Sequence, residues 1–169
     1  AERSSRGRMT PPPGARRATR DPLVLLACGL GLGLAPKLPG TFGTLLGVAL
    51  YPLLQPLPVV GYALAVAALF VVGIPLCSVA SRRLGRSDPP EVVWDEVVGY
   101  LATMLAAPSG WLWMLVGFIA FRLFDIVKPW PIAWLDRRIG GGLGIMTDDL
   151  AAAVYAWVLV QLFARSVAG

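Results

Sequence analysis

Long uncharged stretches, divided by prolines and glycines, dominate the pattern of this 169-residue chain. As a helix, the apolar stretch at residues 59–80 is long enough to cross the ~30 Å hydrocarbon core of a bilayer. Further uncharged stretches occupy residues 23–35, 44–57, 97–121 and 150–164. A Pro-Ser-Gly turn at residues 108–110 divides one of them, and none shows the alternation of a strand. The pattern predicts an all-α, multi-helix integral membrane bundle of four or five helices, some of them short or broken.

The composition also indicates a membrane protein. Apolar residues make up 56% of the chain, charged residues only 15%, and the mean hydropathy is +0.67. Because soluble domains carry about 25% charged residues, these values exclude a disordered chain and an ordinary soluble domain.

The net charge of +5 comes from the N-terminal segment. Residues 1–20 hold six arginines and one acid, whereas the rest of the chain has nine basic and nine acidic side chains. We therefore expect residues 1–20 to be a disordered basic tail and residues 21–169 to form a single membrane domain, with no nucleic-acid partner. Basic residues also gather at 82–86 and 137–138, which the positive-inside rule places in the cytoplasm.

Several residues and motifs of known phosphatase and nucleotide-binding classes are missing. The chain contains no histidine, no Asp-x-Asp motif and no Gly-Lys-Ser/Thr P-loop. Its two cysteines, Cys28 and Cys77, lie in apolar surroundings and are predicted to be buried, reduced thiols. Cys77 and Arg83 have the Cys-x5-Arg spacing of cysteine phosphatases, but no strand precedes them, which favours coincidence.

Four charged clusters beside apolar helices carry the candidate chemistry, because charged groups in hydrocarbon are costly unless they pair or line a wet cavity. In the first, at residues 35–44, two prolines and two glycines predict a non-helical loop around Lys37 and Thr41. Since the loop leads into a helix, its backbone N–H groups and these two side chains could bind an anion. The alternative is a plain interhelical loop in which Lys37 reaches the lipid head groups.

The second and third clusters place acids in or beside apolar helices. Asp95 and Glu96 begin one such helix, as either solvated first-turn charges or oxygen ligands for Mg²⁺. Arg122, Asp125 and Lys128 are spaced three apart on one helix face. They would form either an intrahelical salt-bridge ladder or a link between a metal and a phosphate.

The fourth cluster follows the glycines at residues 140–144. Thr147 is predicted to cap the last helix, with Asp148 and Asp149 in its first turn, and capping alone would explain all three. The glycines would also allow the backbone to approach a ligand closely. Together the four clusters favour a Mg²⁺ site facing a phosphate, because the metal screens carboxylates that would otherwise repel one another.

Four segments give the chain a specific resemblance. They are GLGLAPKLPGTFGTLLG at residues 31–47, WDEVVGY at 94–100, FRLFDIVKPWPI at 121–132 and GGLGIMTDDLAAAVYA at 141–156. In this order they closely resemble the bacterial phosphatidylglycerophosphatase A family. The resemblance covers most of residues 21–165 and leaves out the arginine-rich tail.

The resemblance implies a Mg²⁺-dependent phosphatase of the bacterial cytoplasmic (inner) membrane, with its active site facing the cytoplasm. Such an enzyme would hydrolyse the terminal phosphomonoester of phosphatidylglycerophosphate to phosphatidylglycerol and phosphate. Matched by position, the catalytic residues would be Asp95, Glu96, Asp125, Asp148 and Asp149. The metal ligands would be Asp95, Glu96, Asp125 and Asp149, and the substrate phosphate would be bound by Lys37, Thr41 and Lys128.

Other functions stay open at this level. In a non-catalytic membrane scaffold or small transporter, the charged clusters would be interhelical salt bridges. A phosphatase with Cys77 as nucleophile, a phospho-aspartate intermediate in place of direct hydrolysis, and assembly into a homo-oligomer are also compatible with the chain.

Overall fold

A computed structural model describes residues 20–168 of the protein, apart from the side chains of residues 135–137 and 168. This part is helical and contains no strand, so the predicted all-α fold is confirmed. A 3₁₀ segment, Gly29–Leu34, follows the first of its α-helices. The α-helices are α1 (Pro22–Ala27), α2 (Pro39–Leu54), α3 (Val59–Leu84), α4 (Trp94–Thr103), α5 (Trp111–Val127), α6 (Ile132–Arg138) and α7 (Gly141–Ala168).

The predicted N-terminal tail, residues 1–20, lies outside the described residues except for Arg20. The division of the chain into a tail and one membrane domain therefore stays a prediction. The predicted turn at residues 108–110 is confirmed, because it lies between α4 and α5.

Two helices, α3 and α7, are long and apolar enough to cross a membrane. Large apolar side chains cover their outer faces, and Val60, Leu64 and Leu162 are 71%, 66% and 59% exposed. Apolar surface of this kind is typical of contact with lipid rather than with water. The molecule is therefore a membrane-embedded helical bundle, in which α2 is a shorter apolar helix.

The short helix α4 lies in the middle of the bundle and packs against α2, α3, α5 and α7. Tyr100 and Leu101 on this helix are fully buried. The ring of Tyr100 meets that of Tyr51 on α2 edge-on, and the Tyr62 hydroxyl on α3 donates to the Leu101 carbonyl at 2.7 Å. Because α4 touches helices from distant parts of the chain, its first turn lies beside both α2 and α7.

Helix α2 begins earlier than the sequence predicts. The expectation of a non-helical loop through residues 35–44 is wrong, because α2 starts at Pro39. Proline is favoured in the first turn of a helix, where its missing N–H needs no partner. Gly43 is buried against the start of α4, and a β-carbon at this position would lie 2.6 Å from Cβ of Val93. Close helix packing, rather than a turn, therefore explains this glycine.

Helix α7 also begins earlier, at Gly141, so the prediction that Thr147 caps it is wrong. Thr147 lies inside the helix, where its hydroxyl donates to the Leu143 carbonyl at 2.5 Å. Asp148 and Asp149 consequently follow about two turns of helix instead of opening the first.

Packing against α3 compensates for the glycines at the start of α7. The Gly142 N–H donates to Oγ of Ser78 at 3.1 Å. A β-carbon on Gly142 would clash with the Ile74 carbonyl oxygen, so only glycine allows this approach. The tertiary contact thus supports helical structure where local propensity opposes it.

Candidate active site

The first turn of α4 presents two acids to the interior of the bundle. Trp94 Nε1 donates to the Leu69 carbonyl at 3.2 Å, which ties this turn to α3. Asp95 is only 8% exposed, and Glu96 is partly buried. Of the two interpretations of this pair, solvated helix charges therefore do not describe Asp95.

Helix α7 brings a third acid, Asp149, to the same place. One carboxylate oxygen from each of Asp95, Glu96 and Asp149 lies within 4.8 Å of the other two. Asp149 is 4% exposed. We call these three residues the acid cluster. Three of the five acids proposed from the sequence thus converge, although they come from two helices about 50 residues apart in the chain.

The acid cluster forms no salt bridge with any described residue. Oδ1 of Asp95, Oε2 of Glu96 and Oδ2 of Asp149 are buried and have no hydrogen-bond partner. Burial and the charge of Glu96 raise the pKa of Asp95 well above its usual range. Burial and the charge of Asp149 raise the pKa of Glu96 to about 8. A bound cation would offset these costs, so the cluster could hold a metal ion.

The other two predicted acids each pair with a cation at the edge of the acid cluster. Asp125 forms a salt bridge with Arg122 and also lies within hydrogen-bonding reach of Asp149. Asp148 accepts a hydrogen bond from Nζ of Lys128 at 2.6 Å. Lys128 ends α5 in a left-handed conformation, with φ of 43°, and pairs with α7. Arg122 and Asp125 therefore form the predicted intrahelical salt bridge. Lys128, the third residue of the predicted ladder, instead links α5 to α7.

The N-terminus of α2 closes one side of the acid cluster. A β-carbon on Gly40 would clash with Oε1 of Glu96 and would lie 3.0 Å from Nη1 of Arg122. Glycine at this position therefore lets Glu96 and Arg122 pack directly against the backbone of α2. Thr41 is partly buried in the same turn, where the positive end of the α2 dipole favours an anion.

Two further residues border the site: Arg122, which the sequence places in the third charged cluster without a role at the site, and Gly40, which it does not single out. The side chain of Arg122 is 15% exposed, and its Nε has no hydrogen-bond partner. Its spacing from Asp125 is the signal that places it in that cluster, whereas nothing in the chain distinguishes Gly40 from neighbouring glycines. Lys37 is exposed in the loop before α2 and forms no salt bridge with any described residue.

Cys77 lies on α3 beside the acid cluster but is closed to a substrate. It is fully buried, and its Sγ lies 3.8 Å from Sδ of Met146. Arg83, the other residue of the Cys-x5-Arg spacing, pairs with Asp21. Cys28 is also buried, and both thiols are free, as the sequence predicts. This arrangement does not support a cysteine nucleophile.

Fold and site together define a membrane-embedded, all-α protein with buried acids that could hold a metal ion beside cations. The model of the family described as Phosphatidylglycerophosphatase A matches residues 25–164. The chain belongs to this family and is a phosphatase.

Individual relatives agree with this assignment. The phosphatidylglycerophosphatase A of Escherichia coli strain K12 is 41% identical over 83% of this chain and 82% of its own length. That of Haemophilus influenzae is 43% identical over 83% of this chain and 87% of its own. A Bacteroides thetaiotaomicron protein, named provisionally as a phosphatidylinositol-3-phosphatase, is 38% identical over 86% of this chain and 95% of its own length. No solved structure matches the chain.

Proposed function

We propose that this protein hydrolyses the terminal phosphomonoester of phosphatidylglycerophosphate to phosphatidylglycerol and phosphate, with Mg²⁺ as cofactor. The observation that carries the proposal is the acid cluster, whose three carboxylate oxygens lie within 4.8 Å of one another. The names of two relatives supply the substrate class. A lipid substrate also suits a bundle in which two helices are long enough to cross a bilayer.

Asp95, Glu96 and Asp149 would hold the metal ion, with Asp125 close enough to join them. Their unpartnered, buried oxygens fit a hard divalent cation. Mg²⁺ suits the site because it keeps several waters and needs few protein carboxylates. When bound, Mg²⁺ would polarise the phosphoryl oxygens and screen the charge of the carboxylates.

The substrate phosphate would bind between Arg122, Lys128 and the first turn of α2, including Thr41. The unpartnered Nε of Arg122 is available as a donor, and Lys128 is held nearby through Asp148. These groups would stabilise the charge that spreads over the phosphoryl oxygens in the transition state. Lys37, exposed in the loop before α2, would attract the anionic head group.

Direct hydrolysis is the reaction that we favour. Asp148 would take a proton from water as the water oxygen attacks phosphorus, and the bond from phosphorus to the glycerol oxygen would break. The proton would then pass to the leaving glycerol oxygen. In the alternative, an aspartate attacks phosphorus and forms a phospho-aspartate. Labelled phosphate that stays on the denatured protein after a single turnover would establish the alternative.

The acid cluster would lie at the cytoplasmic face of the bacterial inner membrane. It neighbours Cys77 on α3, close to the end of this helix that carries Arg82 and Arg83. Basic helix ends face the cytoplasm. Trp130, two residues after Lys128, is 80% exposed, and tryptophan is favoured at the membrane–water interface.

Phosphate release from phosphatidylglycerophosphate in detergent micelles tests the proposal. The purified protein should release phosphate with Mg²⁺, stop in EDTA, and recover when Mg²⁺ is restored. The Cys77→Ser variant should remain active, since this thiol is buried. A chelator-resistant activity that depends on Cys77 would overturn the metal mechanism, and no release at all would favour a scaffold or transporter.

Phosphatidylinositol 3-phosphate belongs in the same assay, because one relative is named for it. We expect slower release from this lipid than from phosphatidylglycerophosphate. The opposite order of rates would replace the proposed substrate while leaving the lipid phosphatase chemistry in place.

The close packing of Glu96 and Arg122 against Gly40 provides a second test. Gly40→Ala should lower kcat about tenfold, since the new β-carbon would displace Glu96 and Arg122 from their positions. The matched control is Gly140→Ala, because nothing lies within 4 Å of a β-carbon there. Equal activity in the two variants would show that the close packing of Glu96 and Arg122 against Gly40 is not needed for catalysis.

A further inference from the structure

An apolar groove on the side of the bundle lies next to the acid cluster. It is bounded by α3, α4 and α7, has a volume of about 450 Å³, and is lined by aliphatic and aromatic side chains. This volume falls within the ~300–1,000 Å³ range of small-ligand sites. The proposed hydrolysis of a phosphomonoester does not by itself use such a groove.

Two lining residues continue the helix faces that carry the acids. Ala102 follows Asp95 by seven residues on α4, and Ala153 follows Asp149 by four residues on α7. Residues four or seven apart lie on the same side of a helix. At a rise of 1.5 Å per residue, Ala153 and Trp157 lie roughly 6 Å and roughly 12 Å beyond Asp149 along α7. The groove therefore lies along the same helix faces as the acids, with the contact of Gly73 and Met146 between them.

The groove is closed at its ends and open along its side. Helices α3 and α7 meet closely at Gly73, where a β-carbon would lie 2.6 Å from Sδ of Met146. At the far end, Trp157 Nε1 donates to the Leu105 carbonyl at 2.9 Å. Val154 on the rim is 54% exposed. An extended hydrocarbon chain could therefore enter sideways from the bilayer.

We infer that this groove binds one acyl chain of the phospholipid whose phosphate lies at the acid cluster, an inference that rests on the proposed function. Lipid tails are as apolar as the groove, so the transfer of a chain from the bilayer gains little free energy. The groove would instead contribute by holding the lipid in a defined position. It fixes the glycerol backbone relative to the acids and so lowers the entropic cost of bringing the phosphate to them.

Neighbouring alanines on α3 provide matched variants. Ala67 lines the groove and Ala68 does not, although both are exposed. Ala67→Trp should fill the groove and lower kcat/KM for dioleoyl phosphatidylglycerophosphate about tenfold, because the phosphate is then misplaced. Hydrolysis of glycerol 3-phosphate, which has no acyl chain, should not change. Ala68→Trp should match the unsubstituted protein with both substrates.

Two outcomes of the kinetic test would overturn the inference. One is an Ala67→Trp variant that keeps full kcat/KM for the dioleoyl lipid. The other is an equal loss with both substrates, which would mean that the tryptophan disturbs the acid cluster itself. If glycerol 3-phosphate is too slow a substrate to measure, a dihexanoyl lipid serves as the comparison.

Photocrosslinking separates this inference from the proposed function, because it needs no turnover. A phosphatidylglycerophosphate with a diazirine in one acyl chain should label groove-lining residues such as Phe70 and Trp157 in the unsubstituted protein and in Ala68→Trp, but not in Ala67→Trp. Labelling without phosphate release would refute the proposed function and keep the groove, whereas release without groove labelling would refute the groove alone. Loss of labelling in excess phosphatidylcholine would show that the groove holds bulk lipid, which also overturns the inference.

Discussion

The acids that lie near the C-terminal end of α3 and the acids at the start of α4 differ in their partners. Before α4, Asp21 and Glu91 each form a salt bridge with an arginine at the end of α3 or just beyond it. Within α4, Asp95 and Glu96 each have a buried carboxylate oxygen with no hydrogen-bond partner. Asp95 follows Glu91 by only four positions, so the two arrangements occur within one short stretch of chain.

The difference indicates where the protein supplies its own cations and where it does not. An unpaired buried carboxylate costs several kcal/mol, and replacing it with an apolar residue would commonly stabilise the fold. The chain has arginines available nearby, as the pairs with Asp21 and Glu91 show. The acid cluster is therefore best explained as a site whose counter-charge comes from outside the chain, and the following experiments test that contrast.

The largest effect is expected when a charge is removed from the acid cluster. Asp95→Asn or Asp149→Asn should lower kcat about 10²–10³-fold. Each substitution removes a negative charge that would hold the metal ion, and with it the electrostatic stabilisation of the phosphoryl group in the transition state. In EDTA, the same variants should unfold at the same or a higher temperature than the unsubstituted protein, since an unpaired buried charge has been removed. Phosphate release and thermal unfolding in detergent measure the two effects.

Glu91→Gln is the matched control for these variants, because it removes a paired acid only four positions before Asp95. Its activity should be unchanged. The contrast between the acid cluster and the paired acids would be refuted if Asp95→Asn kept a tenth of the activity. It would also be refuted if Glu91→Gln lost as much activity as Asp95→Asn.

A smaller effect is expected on stability when Mg²⁺ binds. At a concentration about 100 times its Kd, the ion should add about 2.7 kcal/mol to the free energy of unfolding. Asp149→Asn should abolish most of this gain, whereas Glu91→Gln should keep it. Thermal unfolding curves with and without Mg²⁺ provide the measurement, and an equal gain in both variants would place the ion elsewhere.

Arg122→Lys should lower kcat/KM about tenfold or more. Lysine keeps a positive charge beside Asp125 but lacks the planar fork that binds two phosphate oxygens at once. Arg86→Lys, which changes an arginine paired with Glu91, should have no such effect. Steady-state kinetics of the two variants provide the measurement. Equal kcat/KM values would show that Arg122 does not bind the substrate phosphate.

The smallest effect concerns the stability contribution of the paired acids. Arg86 is 45% exposed, so water screens its attraction to Glu91. Glu91→Gln should therefore change the free energy of unfolding by only about 0.5 kcal/mol. A loss of several kcal/mol in thermal or denaturant unfolding would mean that this exposed pair, too, is structurally essential.

Much of the helical framework could be predicted from the chain. The apolar stretch predicted at residues 59–80 appears as α3, four residues longer at its C-terminus, and the turn at 108–110 separates α4 from α5. The starts of α2 and α7 could not be predicted, since glycine and proline signal loops locally. In the structure, Gly43 and Gly142 instead allow close contact with Val93 and with α3.

The amino-acid sequence by itself determined the membrane character, the helical class and the set of acids available for chemistry, because these follow from composition and from local spacing along each helix. Only the tertiary structure decided that Asp149 joins Asp95 and Glu96, while Asp125 and Asp148 pair with cations. The rotation of one helix about its axis relative to another depends on side-chain packing between distant segments. For the same reason, the groove beside the acids became visible only when α3, α4 and α7 were assembled.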